Sequence, residues 1–165
     1  APDFFPLPEP LIQGPAARVM SLRDGTKKMS KSDPSEMASI FLSDDADAIS
    51  KKIKKATTDA EPLPSEEAGL EGRAEAGNLV GIYAALAGVS RADVLKDYGG
   101  KGFGAFKPAL AELVIDKIGP VGAELRKLEA DPAHLEGLIR ASSERAAQTA
   151  DPVVRAVKEI VGLVS

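Results

Sequence analysis

The sequence of 165 residues contains no cysteine, no tryptophan and a single histidine, and aromatic residues make up only 4% of it. The absence of cysteine excludes disulfide bonds, thiolate zinc sites and cysteine nucleophiles, and it is in keeping with a reducing compartment. One histidine, His134, excludes a histidine metal cluster and argues against a Ser-His-Asp triad. No apolar run approaches the ~20 residues that a membrane-spanning helix needs, so we expect no membrane partner.

What the sequence does contain is enough apolar material for a buried core, with 44% apolar residues, 28% charged residues and a net charge of -4. This mild acidity argues against non-specific coating of nucleic acid, although a local basic patch could still hold RNA. Residues 1–10 carry four prolines and no initiator Met. We therefore expect an extended opening segment and interpret the chain as a piece of a longer protein.

Helix signals dominate the sequence after residue 42. Apolar spacing and capping residues predict helices at about 43–55, 78–87, 90–98, from 103 for more than about twenty residues, and from 132. We expect Pro108 and Gly119–Pro120 to kink or interrupt the fourth helix, and Asp151–Pro152 to kink the fifth or begin another. Residues 60–77 are poor in apolar side chains, which predicts a long, mobile loop. The fold class is therefore mainly α, a helical bundle.

The front of the chain differs from this bundle. Residues 18–22 predict a short strand, and residues 26–32 predict a polar, basic loop. A helix is expected to begin next, where Asp33 can cap its first turn and Glu36 can complete a capping box.

The loop sequence KMSKS at residues 28–32 carries the most informative chemistry. Two ammonium groups three residues apart alternate with hydroxyl groups, after Gly25 and before a predicted helix start. Lysine supplies a compact, movable charge, and hydroxyls and exposed N–H groups donate hydrogen bonds, so the loop can clamp a polyphosphate. Composition alone favours a solvated basic loop, and the glycine-rich cradle of a P-loop is missing.

This loop resembles the second signature of class I aminoacyl-tRNA synthetases, and its surroundings are similar to the bacterial tryptophanyl-tRNA synthetases. The stretches that match, in the family's order, are 5–12, 18–34, 52–59, 78–83 and 98–107. Five separated matches are much more specific than the pentapeptide alone. The resemblance implies the C-terminal half of such an enzyme, which lacks the HIGH-type signature and most of the tryptophan pocket and is inactive by itself.

The resemblance also implies how the chain is organised. Residues 1–42 would be the C-terminal remnant of a Rossmann-type α/β nucleotide-binding catalytic domain, and residues 43–165 a helical domain that binds the tRNA anticodon. The implied cofactor is ATP with Mg²⁺, and the implied partners are tryptophan and tRNA(Trp). A homodimer when full length and a cytoplasmic location follow from the same resemblance.

Roles for the loop residues follow from the resemblance as well. Lys28 and Lys31 would be catalytic, because they are placed to hold the departing pyrophosphate. Val19 and Met20 match positions at which the family's backbone meets the adenine. The implied ATP-binding residues are Val19, Lys28, Met29, Ser30, Lys31 and Ser32, and no metal ligand is expected in the chain.

The sequence leaves other interpretations open. A non-catalytic helical RNA- or protein-binding module could retain a KMSKS-like phosphate loop, and a plain helical bundle is a third possibility. The lysines at 51–55 could contact tRNA, as could the glycine-rich stretch at 98–107. Pairing with the helix dipole explains the first more simply, and core packing explains the second.

Overall fold

Five α-helices make up most of the described structure. The computed structural model describes residues 4–12 and 17–163. Within these residues the only β-pairing is an isolated antiparallel bridge between Met20 and Lys28. The strand predicted at 18–22 is therefore reduced to a single paired residue, Met20. The mainly α fold class is confirmed. The helices are α1 (Ala46–Lys54), α2 (Ala74–Ala87), α3 (Arg91–Tyr98), α4 (Phe103–Ala130) and α5 (Pro132–Ile160), with short 3-10 helices at Glu36–Ala38 and Glu67–Leu70.

The described residues divide into two compact units. One unit covers residues 12 and 17–125, and it holds every buried apolar side chain of the described structure. The other unit covers 4–11 and 126–163, and no residue of its helix α5 is buried. The largest fully buried side chains of the first unit include Phe106, Leu22, Ile49, Ile53, Leu63, Leu79, Leu95 and Leu110.

Side-chain caps begin three helices where the sequence predicts helix starts. Asp45 accepts a first-turn N–H of α1, Ser90 and Asp93 form a reciprocal capping box on α3, and Asp131 caps α5. Each cap satisfies N–H groups that have no partner inside the helix. The start predicted at residues 33–36 is different, because the backbone there makes only one 3-10 turn without a side-chain cap.

Helices α4 and α5 are continuous through the positions where breaks were predicted. Pro108 and Pro120 lie inside α4, and Pro152 lies inside α5. The predicted interruption at Gly119–Pro120 and the alternative of a new helix at Asp151–Pro152 are therefore wrong. All three prolines are exposed, so water can hydrate the carbonyl group that each leaves without a helical donor.

The long loop predicted at 60–77 instead contains a 3-10 helix and the beginning of α2, although most of residues 61–72 are exposed. Leu63 and Leu70 are buried, and α2 begins inside this stretch. Arg73 donates to both carboxylate oxygens of Asp59, at 2.9 and 2.6 Å, and also to the Glu61 carbonyl at 3.0 Å. The Arg73 guanidinium holds the pKa of Asp59 below its usual value. Two buried leucines and one ion pair thus attach this mostly exposed segment to the first unit.

Three aromatic rings meet in the core of the first unit. The Phe106 ring centre lies 5.1 Å from that of Tyr98 and 5.7 Å from that of Tyr83. The two tyrosine hydroxyl groups are 3.3 Å apart and share a hydrogen bond. This bond, followed by burial, raises the pKa of Tyr98 to about 12.

Alkaline pH is expected to destabilise the protein through Tyr98. Its hydroxyl ionises near pH 10 in the unfolded chain but near 12 in the folded one, so the folded state holds a proton that the unfolded state releases. The stabilisation is fully present below about pH 10 and is lost as the pH rises towards about 12. In urea unfolding at several alkaline pH values, the free energy of unfolding should fall less steeply with pH for Tyr98→Phe than for the parent protein. Equal slopes of this free energy against pH in the two proteins would contradict the prediction.

Candidate nucleotide-binding loop

The backbone on the two sides of the KMSKS loop is joined by hydrogen bonds. The Ser21 N–H donates to the Lys27 carbonyl at 2.8 Å, and the Met29 N–H donates to the Val19 carbonyl at 3.0 Å. We call the paired residues 19–21 and 27–29 the loop root. The predicted ATP-binding residue Val19 lies in this loop root, where it is half-buried and its carbonyl accepts the Met29 N–H. This pairing brings Val19 and the loop residues 28–32 into one local structure.

The turn that leads into the loop packs against the beginning of α2. Gly25 is buried, and its N–H donates to Glu75 Oε1 at 3.2 Å. A Cβ at position 25 would lie 2.6 Å from backbone atoms of Ala74 and Glu75, so only glycine fits. Asp24 accepts from the hydroxyl and the N–H of Thr26 at 2.6 and 3.0 Å, which lowers the pKa of Asp24.

Asn78 fastens the loop root to α2. Its Oδ1 accepts the Met20 N–H at 3.0 Å, and its Nδ2 donates to the Met20 carbonyl at 2.9 Å. One amide side chain thus satisfies the N–H and the carbonyl of Met20, which the pairing with residues 27–29 leaves unbonded. The sequence places Asn78 in a predicted buried helix and in the stretch 78–83 that resembles the family, but it indicates no contact with the loop. The available signal was a single polar residue, the only asparagine of the chain, at the start of an apolar run.

Three further hydrogen bonds hold the loop and the segment that precedes it. The Leu22 N–H donates to the Ala38 carbonyl at 2.9 Å, and the Thr57 N–H donates to the Leu22 carbonyl at 2.7 Å. The buried hydroxyl of Ser39 donates to the Ser30 carbonyl at 3.0 Å, inside the loop itself. Hydrogen bonds from several separate parts of the chain therefore hold the residues that flank the exposed tip of the loop.

The tip of the loop presents its polar groups to solvent. Lys28, Ser30, Lys31 and Ser32 are all exposed, whereas Met29 is half-buried and packs against the core. Within the described parts of the chain, neither lysine has a carboxylate partner. Two uncompensated ammonium groups and two hydroxyl groups thus lie on one exposed loop, a set of donors suited to phosphate oxygens.

Acidic residues near the loop serve turns, caps and an ion pair. Asp33 accepts the Ser35 N–H at 2.8 Å, and Asp45 caps α1. Asp44 binds Lys52 at 2.5 Å. Across residues 4–12 and 17–163, no three histidine, aspartate or glutamate side chains are grouped as metal ligands. In the same ranges we find no helix with the length and apolar character needed to span a bilayer.

The other basic candidates differ in their exposure. Lys52 is buried, and its Nζ lies 4.4 Å from the Phe41 ring centre, so this lysine is not available to RNA. Lys107 donates to the Ala56 carbonyl at 2.8 Å, and burial lowers its pKa. Phe103 and Phe106 are buried, which supports the core-packing explanation of the stretch at 98–107. Lys51, Lys54 and Lys55 are exposed at the end of α1.

Comparison with known proteins gives a consistent result. The model of the family "tRNA synthetases class I (W and Y)" matches residues 2–117. A tryptophan–tRNA ligase of Mesorhizobium japonicum is 58% identical over 97% of this chain and 45% of its own length. One of Caulobacter vibrioides is 59% identical over 98% of this chain and 47% of its own length.

A solved structure agrees with these relatives. The tryptophanyl-tRNA synthetase of Mycoplasma pneumoniae superposes with a TM-score of 0.73 at 26% identity, over 92% of this chain and 47% of the other. The chain thus spans about half the length of the curated relatives that it matches. The family match over most of the chain, the similarity to these relatives and the shared fold together show that the chain belongs to the class I tRNA synthetases of the tryptophan and tyrosine group.

Proposed function

We propose that this chain is the C-terminal half of a tryptophan–tRNA ligase. The complete enzyme would activate tryptophan with ATP to tryptophanyl-adenylate and transfer the tryptophanyl group to tRNA(Trp). The observation that carries the proposal is the pair of exposed, uncompensated ammonium groups of Lys28 and Lys31 on a firmly rooted loop. The names of the relatives with 58% and 59% identity support tryptophan as the amino acid.

The loop would act on the leaving group of the first reaction. The tryptophan carboxylate attacks the α-phosphorus of ATP, a new P–O bond forms, and the bond to the bridging oxygen breaks. The electron pair of that bond leaves with pyrophosphate, where negative charge accumulates. Ammonium groups stabilise such charge more in the transition state than in the ground state, so Lys28 and Lys31 would lower the barrier.

The remaining loop residues would position ATP. Ser30 and Ser32 would donate hydroxyl hydrogen bonds to phosphate oxygens, while Met29 anchors the loop against the core. Val19 would place its backbone beside the adenine. Mg²⁺ would arrive bound to the phosphates of ATP, and the ATP-binding set is the six residues Val19, Lys28, Met29, Ser30, Lys31 and Ser32.

The two parts of the chain would have different tasks. We propose that residues 1–42 complete the Rossmann-type catalytic domain, whose other part lies in the upstream half of the relatives. Residues 43–165 would form the helical domain that approaches the tRNA anticodon. The complete protein would work as a homodimer in the cytoplasm, with most of the tryptophan pocket in the upstream half.

A hybrid ligase tests the proposed function. This chain replaces the matching segment of the Mesorhizobium japonicum tryptophan–tRNA ligase, and charging of tRNA(Trp) with labelled tryptophan is measured. We expect the hybrid ligase to charge tRNA(Trp) with tryptophan and not with tyrosine, and the 165-residue chain by itself to charge nothing. A folded hybrid ligase without tryptophan charging would overturn the proposal.

A further inference from the structure

A cleft of about 270 Å³ lies between the segment at 18–20 and helix α2 in the first unit. We name it the Arg91 cleft. Its walls combine apolar side chains with arginine, and neither the loop tip nor the proposed roles of the loop residues account for the arginines. The lining of the cleft includes Arg18, Met20, Leu70, Gly77, Ile82 and Arg91.

The guanidinium group of Arg91 is incompletely paired. Its Nε is buried and has no hydrogen-bond partner among the described residues. Its Nη2 donates only to the Gly77 carbonyl, at 3.4 Å, which is near the limit for a hydrogen bond. A buried N–H of a charged group without an acceptor is costly and uncommon in folded proteins. The lining of the cleft thus includes a charged group whose hydrogen bonds are incomplete among the described residues.

Gly77 allows the guanidinium group to lie against α2. A Cβ at this position would come within 3.1 Å of Arg91 Nη2, closer than nearly all such contacts. Glycine inside a helix weakens the helix, so its presence here fits a need for space. The close approach lets Arg91 lie beside α2, where it lines the cleft.

The positive charge in the cleft is not balanced by the described residues. Arg18 is exposed at the rim of the cleft, and neither it nor Arg91 has a carboxylate partner there. Arg73 lines the same cleft but is different, because the Asp59 carboxylate already binds it. An anion entering the cleft would thus meet two uncompensated guanidinium groups.

We infer that the Arg91 cleft binds an oxyanion, the carboxylate or phosphate group of a small molecule or of a protein side chain. Such a group can accept two parallel hydrogen bonds from the edge of a guanidinium group, which would satisfy the orphaned Nε–H. The volume of about 270 Å³ leaves room for a compact ligand. Leu70, Ile82 and Met20 supply an apolar wall for its hydrocarbon part.

The test follows the side-chain Nε–H signal of Arg91 by NMR in the 165-residue chain. Inorganic phosphate and malonate are titrated to about 20 mM, which detects millimolar binding. We expect this signal to move with a saturable curve. Arg91→Gln should weaken binding roughly tenfold or more, because a charge-assisted hydrogen bond is lost. Arg18→Gln should weaken it less, and the matched control Arg140→Gln, on exposed α5, should not change it.

The hybrid ligase separates the two sources of the oxyanion. If a free small molecule is the ligand, phosphate or malonate moves the Arg91 signal in the chain and in the hybrid ligase alike. If a carboxylate of the upstream half is the ligand, the Arg91 signal is already shifted in the hybrid ligase and no longer responds to the added anions. An Arg91 signal that ignores both anions in the chain and is identical in the hybrid ligase would overturn the inference. None of these outcomes depends on whether tryptophan is charged.

Discussion

Lys31→Ala in the hybrid ligase is expected to slow tryptophan-dependent ATP–pyrophosphate exchange by roughly 10²–10³, the effect of removing one transition-state donor. The Lys31 ammonium group is exposed and has no carboxylate partner within the described residues, so its removal should cost little stability. Because the group is proposed to act on the pyrophosphate, kcat should fall while KM for tryptophan stays nearly constant. Steady-state exchange kinetics at saturating ATP measure both quantities.

Lys27→Ala is the matched control, since it removes the same charge from the same short segment. Lys27 forms an exposed ion pair with Asp24 at 3.2 Å. Exposed pairs contribute at most ~1 kcal/mol to stability, and Lys27 has no proposed contact with the triphosphate, so we expect the rate to change by less than about fivefold. Lys31→Arg keeps the charge but alters its shape and should recover part of the lost rate. If Lys31→Ala and Lys27→Ala have equal effects, the proposed role of Lys31 is wrong.

Asn78→Ala is expected to lower the free energy of unfolding by about 2–3 kcal/mol, because the N–H and the carbonyl of Met20 both lose their partner. The site is only partly buried, so water can compensate a share of the loss. Both tyrosines of the sequence, Tyr83 and Tyr98, lie in the same unit as Asn78. Tyrosine fluorescence during urea unfolding therefore reports on this unit without a label.

Asn78→Asp provides a sharper comparison than the alanine variant. It keeps an acceptor for the Met20 N–H, but it places a carboxylate oxygen where Nδ2 lies 2.9 Å from the Met20 carbonyl. We expect it to be at least as destabilising as Asn78→Ala, although it is nearly isosteric. Gln148→Ala, on an exposed face of α5, should stay within about 0.5 kcal/mol of the parent. An Asn78→Asp variant as stable as the parent would show that the amide does not fasten the loop root.

Local signals explain why several helices could be predicted from the sequence. Asp45, Ser90 and Asp131 each satisfy N–H groups within their own first turn, so the information lies within four residues. Proline at 120 and 152 is a weaker signal, because its lost hydrogen bond is tolerated where the helix faces water. The prediction of a loop at 60–77 was wrong for a different reason. Its buried leucines and its ion pair depend on contacts with other parts of the chain, which composition does not reveal.

Contacts between distant residues explain what the sequence could not predict about the site. The pentapeptide at 28–32 is visible as a donor-rich loop, and the family resemblance adds a phosphate role for it. The bond from Asn78 to Met20 spans 58 positions, and Gly25 meets Glu75 across 50. Neither pairing leaves a periodic pattern in the chain. The orphaned Nε of Arg91 likewise becomes apparent only when α3 is placed against α2.

A crystal structure of the hybrid ligase with ATP and a tryptophan analogue that lacks the carboxylate tests the central proposal most directly. Without the attacking group the triphosphate stays intact and its contacts can be measured. We predict that Nζ of Lys28 and Nζ of Lys31 each lie within hydrogen-bonding distance, about 2.7–3.2 Å, of oxygens on the two phosphates that leave. A bound triphosphate with both ammonium groups pointing into solvent would contradict it.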